Sequence, residues 1–210
     1  MKKRLLTLSA LLLLLSLSSW GQDREYTNLF NYNGIEFSGF GGPSYEISSI
    51  NGKLAFSDGG GGAVLLNQKY FVGGYRTSLN GSLSVWDKDA DDNVDLQFGH
   101  GGLWLGYINK HEEMVHLGAS LKMGVGKIST HYRNHHDDIS NDFVFVMNPH
   151  AECEINVTSW FKMNLSLGYR FVSGVNDDSF IEPSIGLRGF GDKDFNSPVV
   201  GMSFLFGFFK

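Results

Sequence analysis

Between residues 161 and 171 every second side chain is apolar, and those between are polar or minimal. Phe161, Met163, Leu165, Leu167, Tyr169 and Phe171 share one parity, while Lys162, Asn164, Ser166, Gly168 and Arg170 share the other. A side-chain period of two is the signature of an extended strand. The run lasts about eleven residues, the length a tilted strand needs to cross a bilayer, so the length directs the apolar face toward lipid. A soluble lipid-binding barrel, with a greasy inside and a wet outside, is the architectural rival.

The alternation begins at Gly34. Phe37, Gly39, Gly41, Pro43, Tyr45 and Ile47 are expected to face outward, opposite Glu36, Ser38, Phe40, Gly42, Ser44 and Glu46. Asn51-Gly52 is a tight-turn signal, and the strand that follows, 53–66, is blurred by four glycines at 59–62 that fit a crowded wall or a bulge. Residues 70–79 return after the turn 67–69, with Phe71, Tyr75 and Leu79 set against Val72, Gly74, Arg76 and Ser78. A polar loop is expected over 80–93. The strand 94–108 changes phase between Phe98 and Leu103, which places a bulge at Gly101-Gly102. A turn at 109–113, a strand over 114–128 and a second polar loop over 129–141 follow. Residues 142–157 read as a strand interrupted by Pro149, a residue tolerated only at a bulge or kink. Beyond the opening run, 173–197 is the longest connection, with a short strand or helical turn near 181–190, and 198–209 closes the chain.

The first residues stand apart. Lys2, Lys3 and Arg4 precede an apolar run over 5–17, and Ser19-Trp20-Gly21 places small residues where a signal peptidase reads them. Residues 1–21 are therefore expected to be a cleaved signal peptide, 22–33 a periplasmic tail and 34–210 the barrel. The leader's apolar run is shorter than the ~18 residues of a spanning helix. Its loss takes the formal net charge from −5 to −8. An acidic mature chain argues against nucleic acid as a partner. The single cysteine, Cys153, cannot form an internal disulfide. Beyond the leader no stretch is apolar enough to span as a helix, so a membrane protein of this sequence must be a closed barrel.

Eight strands are counted, with very short connections after the second, fourth and sixth and long ones after the third, fifth and seventh. That is the pattern of an antiparallel up-and-down transmembrane β-barrel with trimmed periplasmic turns and extended outer loops. Asn51-Gly52, a short outer turn, is the exception. Tyr70, Phe71, Tyr107, Trp160, Phe161, Phe208 and Phe209 gather near the short turns, as an interfacial girdle does.

With the leader, the alternating strands and the terminal segment Phe204-Leu205-Phe206-Gly207-Phe208-Phe209, the chain resembles the small bacterial outer-membrane barrels of the OmpA-transmembrane-domain and OmpX kind. Its glycine-rich early strands resemble those of Bacteroidetes-type members. The resemblance implies residence in the outer membrane, surrounding lipid, and recognition of the last strand by the barrel-assembly machinery. In that family the last strand commonly ends on an aromatic residue, whereas here Lys210 follows it.

The expected inward set is Glu36, Glu46, Asp58, Glu152 and Glu154 against Arg76, Lys122, Lys162 and Arg170, with His116 and His150 available. Eight strands leave an interior only wide enough for side chains, so near-balanced charges there read as a paired network filling a plugged tube. A narrow channel is the alternative reading. Asp87, Asp89 and Asp91 alternate as calcium-loop carboxylates do, but position six is Asp92 and position twelve is Phe98, so this is no EF-hand. His131, His135 and His136, with Asp137 and Asp138, form a second cluster of metal-capable residues. Both clusters read most plainly as solvated outer loops, and no metal or cofactor is expected. A lipid-modifying hydrolase built on His100 with Ser57 or Ser78 is a further alternative, without an acid behind the histidine. The reading is a monomeric barrel, not an enzyme, with a structural or surface-interaction role carried by the loops 80–93, 129–141 and 173–197.

Overall fold

The structure, a computed structural model, describes residues 35–87, 92–132, 138–175 and 190–209; of 84–87, 92–94, 131–132 and 138–140 only the backbone is described. The expected signal peptide, the expected tail and all but the last residue of the segment 181–190 fall outside these residues. Among the described residues there are nine strands: β1 (Phe37–Ile50), β2 (Lys53–Leu66), β3 (Tyr70–Leu79), β4 (Leu83–Asp87), β5 (Asp92–Ile108), β6 (Val115–Tyr132), β7 (Asp138–Asn156), β8 (Phe161–Ser173) and β9 (Ser197–Gly207), with a helical turn, α1 (Asp192–Phe195), before the last. Every pairing is antiparallel, and the order β3-β2-β1-β9-β8-β7-β6-β5 closes through a β3–β5 ladder. Eight strands thus form a closed up-and-down barrel, which leaves no edge within the wall.

The ninth strand, β4, continues β3 above that wall. The β3–β5 ladder stops at Ser78↔Gly99 and pairing resumes at Leu83↔Leu96, across a corner at residues 79–82 where Gly81 has φ +81°. What reads as a loop over 80–93 therefore contains a hairpin. Likewise β6 runs to Tyr132 and β7 starts at Asp138, so most of the segment 129–141 is strand. A spanning strand needs about 9–11 residues. With 18 and 19 residues, β6 and β7 project beyond the bilayer.

Two tight turns follow from local chemistry. Asn51 and Gly52 both take positive φ, as the two-residue turn between Ile50 and Lys53 requires, and Asn67 and Gln68 do so in the three-residue turn 67–69, which Lys69 N closes by donating to Leu66 O at 3.0 Å. No bulge occurs at Gly101-Gly102. The register of β5 is continuous against β3 and β6, and the apparent phase change arises because Leu96 and Phe98 are apolar residues facing the lumen. Pro149 does not shift register either. The β7–β8 ladder skips Asn148 and Pro149 and resumes in step at His150↔Gly168, because proline has no N–H to give.

The outer surface is greasy. Leu167 is 62 % exposed, Val125 68 %, and Leu117, Phe143, Phe145 and Phe206 are likewise exposed. This excludes the soluble-barrel arrangement, whose apolar faces would line the cavity. The belt is uneven: on β8 six outward apolar side chains follow one another from Phe161 to Phe171, whereas on β3 only Tyr70 and Val72 precede Arg76.

Candidate functional site

The lumen is built in three layers. At the short-turn end Phe40, Phe71 and Trp104 meet edge to face, with centroids 5.2–5.5 Å apart, and Leu65, Ile108 and Leu205 complete an apolar plug. Phe71 and Phe209 therefore do not belong to the girdle: Phe71 is buried inside, and the Phe209 ring lies 4.4 Å from Lys162 Nζ. Tyr70 and Tyr107, tilted against each other with centroids 5.3 Å apart, and Trp160 with Phe206 do lie outside.

The middle layer carries the charges. Lys122 Nζ donates to Glu46 Oε1 at 2.7 Å and lies 5.6 Å from the ring centroids of both Tyr75 and Trp104. Glu154 Oε2 lies 2.9 Å from His116 Nε2 and accepts from Lys162 Nζ at 3.3 Å. Ser120 Oγ donates to Glu152. These pairs come together because β6, β7 and β8 present their even-numbered residues inward in matched register, His116↔Glu154, Ser120↔His150 and Asn164↔Glu154. A carboxylate paired in this way escapes the several kcal/mol that an isolated buried charge costs. Not every group is matched: Asn148 is 0 % exposed, yet neither its amide nor the ring nitrogens of His150 make a hydrogen bond.

The outer layer is a second apolar plug, formed by Phe98, Ile128, Val144, Val146 and Val172 with Phe190 and Phe195. Phe195 enters from α1, and Arg170, 2 % exposed, holds it there. The guanidinium donates to Phe195 O at 2.9 Å, Ser48 Oγ at 3.1 Å, Ser49 O at 3.0 Å and Ser197 Oγ at 3.3 Å, and it lies 5.2 Å from the Phe98 ring. Asn51 N donates to Asp194 O at 2.6 Å, so the short β1–β2 turn is tied to the same segment. Sequence reasoning missed this cap; the alternation of β9 shows only that Val199 faces inward.

Of the expected inward residues, Glu46, His116, Lys122, His150, Glu152, Glu154, Lys162 and Arg170 are buried in the lumen. Three are placed elsewhere. Glu36 lies exposed below β1, its backbone pinned to Asn67. Asp58 follows Leu54 and Phe56 on the outer face, since the glycines after it hide the true phase. Arg76 is outward because β3 sends Phe71, Tyr75 and Thr77 inside. Asp87 and His131 lie on β4 and β6 with undescribed side chains, while Asp89, Asp91, His135 and His136 lie outside the described residues; among the described residues no cluster suited to a metal occurs. His100 and Ser57 both face inward but Ser78 lies on the opposite face of its strand from inward Thr77, and the His100 ring is engaged by Tyr75, whose Oη lies 3.1 Å from its Nδ1.

A closed eight-stranded wall, apolar without and charged within, defines an integral membrane β-barrel of the outer-membrane type. No protein-family model matches the chain, and no curated protein matches it in sequence. Among solved structures its fold is similar to Neisserial surface protein A (NspA), with a TM-score of 0.53 at 10 % identity over 84 % of this chain and 99 % of that one. Further matches are the attachment invasion locus protein Ail of Yersinia pestis (TM-score 0.43, 15 % identity, 81 % and 97 % covered) and the outer membrane protein OprG of Pseudomonas aeruginosa (0.44, 12 %, 84 % and 97 %). The fold is that of the small OmpA/OmpX-like barrels.

Proposed function

We propose that this protein is a sealed outer-membrane barrel that acts as a structural and surface-interaction element through its outer segments, and neither conducts solutes nor catalyses a reaction. The supporting observation is the layered lumen: Glu46 paired with Lys122 and Glu154 with Lys162 in the middle, with an apolar plug at each end. A pore for ions needs a continuous wet path, and two plugs of packed aromatic and aliphatic side chains oppose one. The β4–β5 and β6–β7 hairpins that rise above the belt are the surfaces available for contact. The protein is monomeric, sits among outer-membrane lipids, binds no nucleic acid or cofactor, and presents its phenylalanine-rich last strand to the assembly machinery.

Reconstitution into planar bilayers tests the reading. The expected record is flat, without unitary steps; reproducible discrete conductance would replace it with the channel reading. Mass analysis of lipid A from cells carrying the protein or its His100→Ala variant tests the hydrolase alternative. Identical spectra are expected, and a product that disappears with His100 would overturn the non-enzymatic reading.

A further inference from the structure

On the outer surface of the barrel a groove of about 840 Å³ lies over β3, β5 and β6. This is within the range of small-molecule sites, roughly 300–1,000 Å³. Its polar lining includes Arg76, Ser78, Gln97, Lys127 and Ser129, and no carboxylate among the described residues lines it. The register explains the shape. Arg76 stands opposite Gly101 and Lys127 opposite Gly99, so between the two cations β5 presents only these two glycines on this face. The strands bearing them are about 10 Å apart, two strand spacings, a gap that two long side chains close readily. Asp58, the outward carboxylate of β2, stands opposite Ser78 and diagonal to Arg76, on the far side of β3 from Lys127, and does not line the groove.

The groove's level identifies what would occupy it. Along β3, β5 and β6 the outward residues change here from apolar (Val72, Leu103, Val125) to polar (Arg76, Gln97, Lys127), which marks the boundary between hydrocarbon and water at the outer leaflet. Phosphates of membrane lipids lie at that boundary. Below the cations the groove is lined by Val125, and the exposed Leu103, the next outward residue of β5 after Gly101, lies beyond its lower end toward the acyl region. Neither Arg76 nor Lys127 forms an ion pair within the described residues.

We infer that this groove is a binding site for the phosphorylated headgroup of an outer-leaflet lipid, with the phosphate bridged by Arg76 and Lys127 over the glycines of β5 and the acyl chain lying along Val125. Arginine offers a planar fork for two phosphate oxygens and lysine a mobile point charge. Ser78, Gln97 and Ser129 supply neutral hydrogen-bonding groups beside them.

The test is native mass spectrometry of the full protein in detergent, titrated with diphosphoryl lipid A, with folding verified by heat-modifiable gel mobility. A one-to-one adduct is expected. The Arg76→Gln/Lys127→Gln variant should bind at least about tenfold more weakly, the loss expected when two charge-assisted hydrogen bonds go. Arg76→Lys/Lys127→Arg should retain binding, and Lys69→Gln, at the opposite rim, should leave it unchanged. Equal binding by the double glutamine variant would overturn the inference. If that variant does not fold, the unaltered protein decides: preference for diphosphoryl over dephosphorylated lipid A supports the site, and equal binding of the two removes it. Inorganic phosphate displacing the lipid at equal concentration would mean a free-anion site and would also overturn the proposal.

Discussion

Glu154 and Asn148 sit on the same strand and face of the lumen, yet replacing them should have opposite effects. Glu154 is engaged by His116 and Lys162, so Glu154→Gln leaves a buried lysine without its counter-charge and should destabilise the barrel by about 3–5 kcal/mol. The amide of Asn148 is buried and unbonded, and a buried polar group in that state costs about 1–3 kcal/mol, so Asn148→Leu should raise stability by an amount in that range. Urea titrations of refolding into lipid vesicles, followed by tryptophan fluorescence, would read both, and a stable Glu154→Gln variant would contradict the pairing. Inward residues over 116–126 of β6, 150–156 of β7 and 162–170 of β8 were legible in the sequence because polar or minimal side chains alternate with apolar ones there, whereas Ile128, Val144, Val146 and Val172 break the pattern by turning apolar side chains inward. Asp58 and Arg76 were not, for a physical reason. Glycine carries no polarity to mark a face, and the plugs put Phe71, Tyr75 and Phe98 inside, so greasiness stops reporting direction wherever the lumen itself is apolar.

At the scale of elements, α1 depends on Arg170. Lysine at that position keeps the charge but cannot reach Phe195 O, Ser48 Oγ, Ser49 O and Ser197 Oγ together. Arg170→Lys should therefore accelerate amide hydrogen exchange over residues 190–196 and leave β6 and β7 protected; unchanged exchange there would show that the cap holds by packing alone. The lower plug has its own constraint, because a Cβ at Gly106 would overlap the Phe71 ring. Gly106→Ala should cost about 1–3 kcal/mol of vesicle-refolding stability, as overpacking does. The spanning strands could be read from sequence, whereas β4 and the outer parts of β6 and β7 could not. Above the bilayer both faces of a strand meet water, so the period of two that reveals a membrane strand disappears while the hydrogen-bonded ladder continues.

For the molecule as a whole, the direction of its two surfaces is the decisive property. Spin labels at positions 165 and 166 should report different surroundings, with oxygen-accessible hydrocarbon at the first and a confined polar interior at the second. A label at 165 quenched instead by a water-soluble relaxant would refute membrane insertion. The short outward apolar run on β3, set against the full run on β8, has a mechanical outcome. A cylinder greased to different heights on its two flanks cannot stand plumb in a film of uniform thickness. Either it lists until the shallow flank is submerged, or the surrounding lipids shorten on that side, each at a modest cost per ångström. Neighbouring lipids would then sort themselves around this protein by tail length, giving one flank an entourage that the other does not attract.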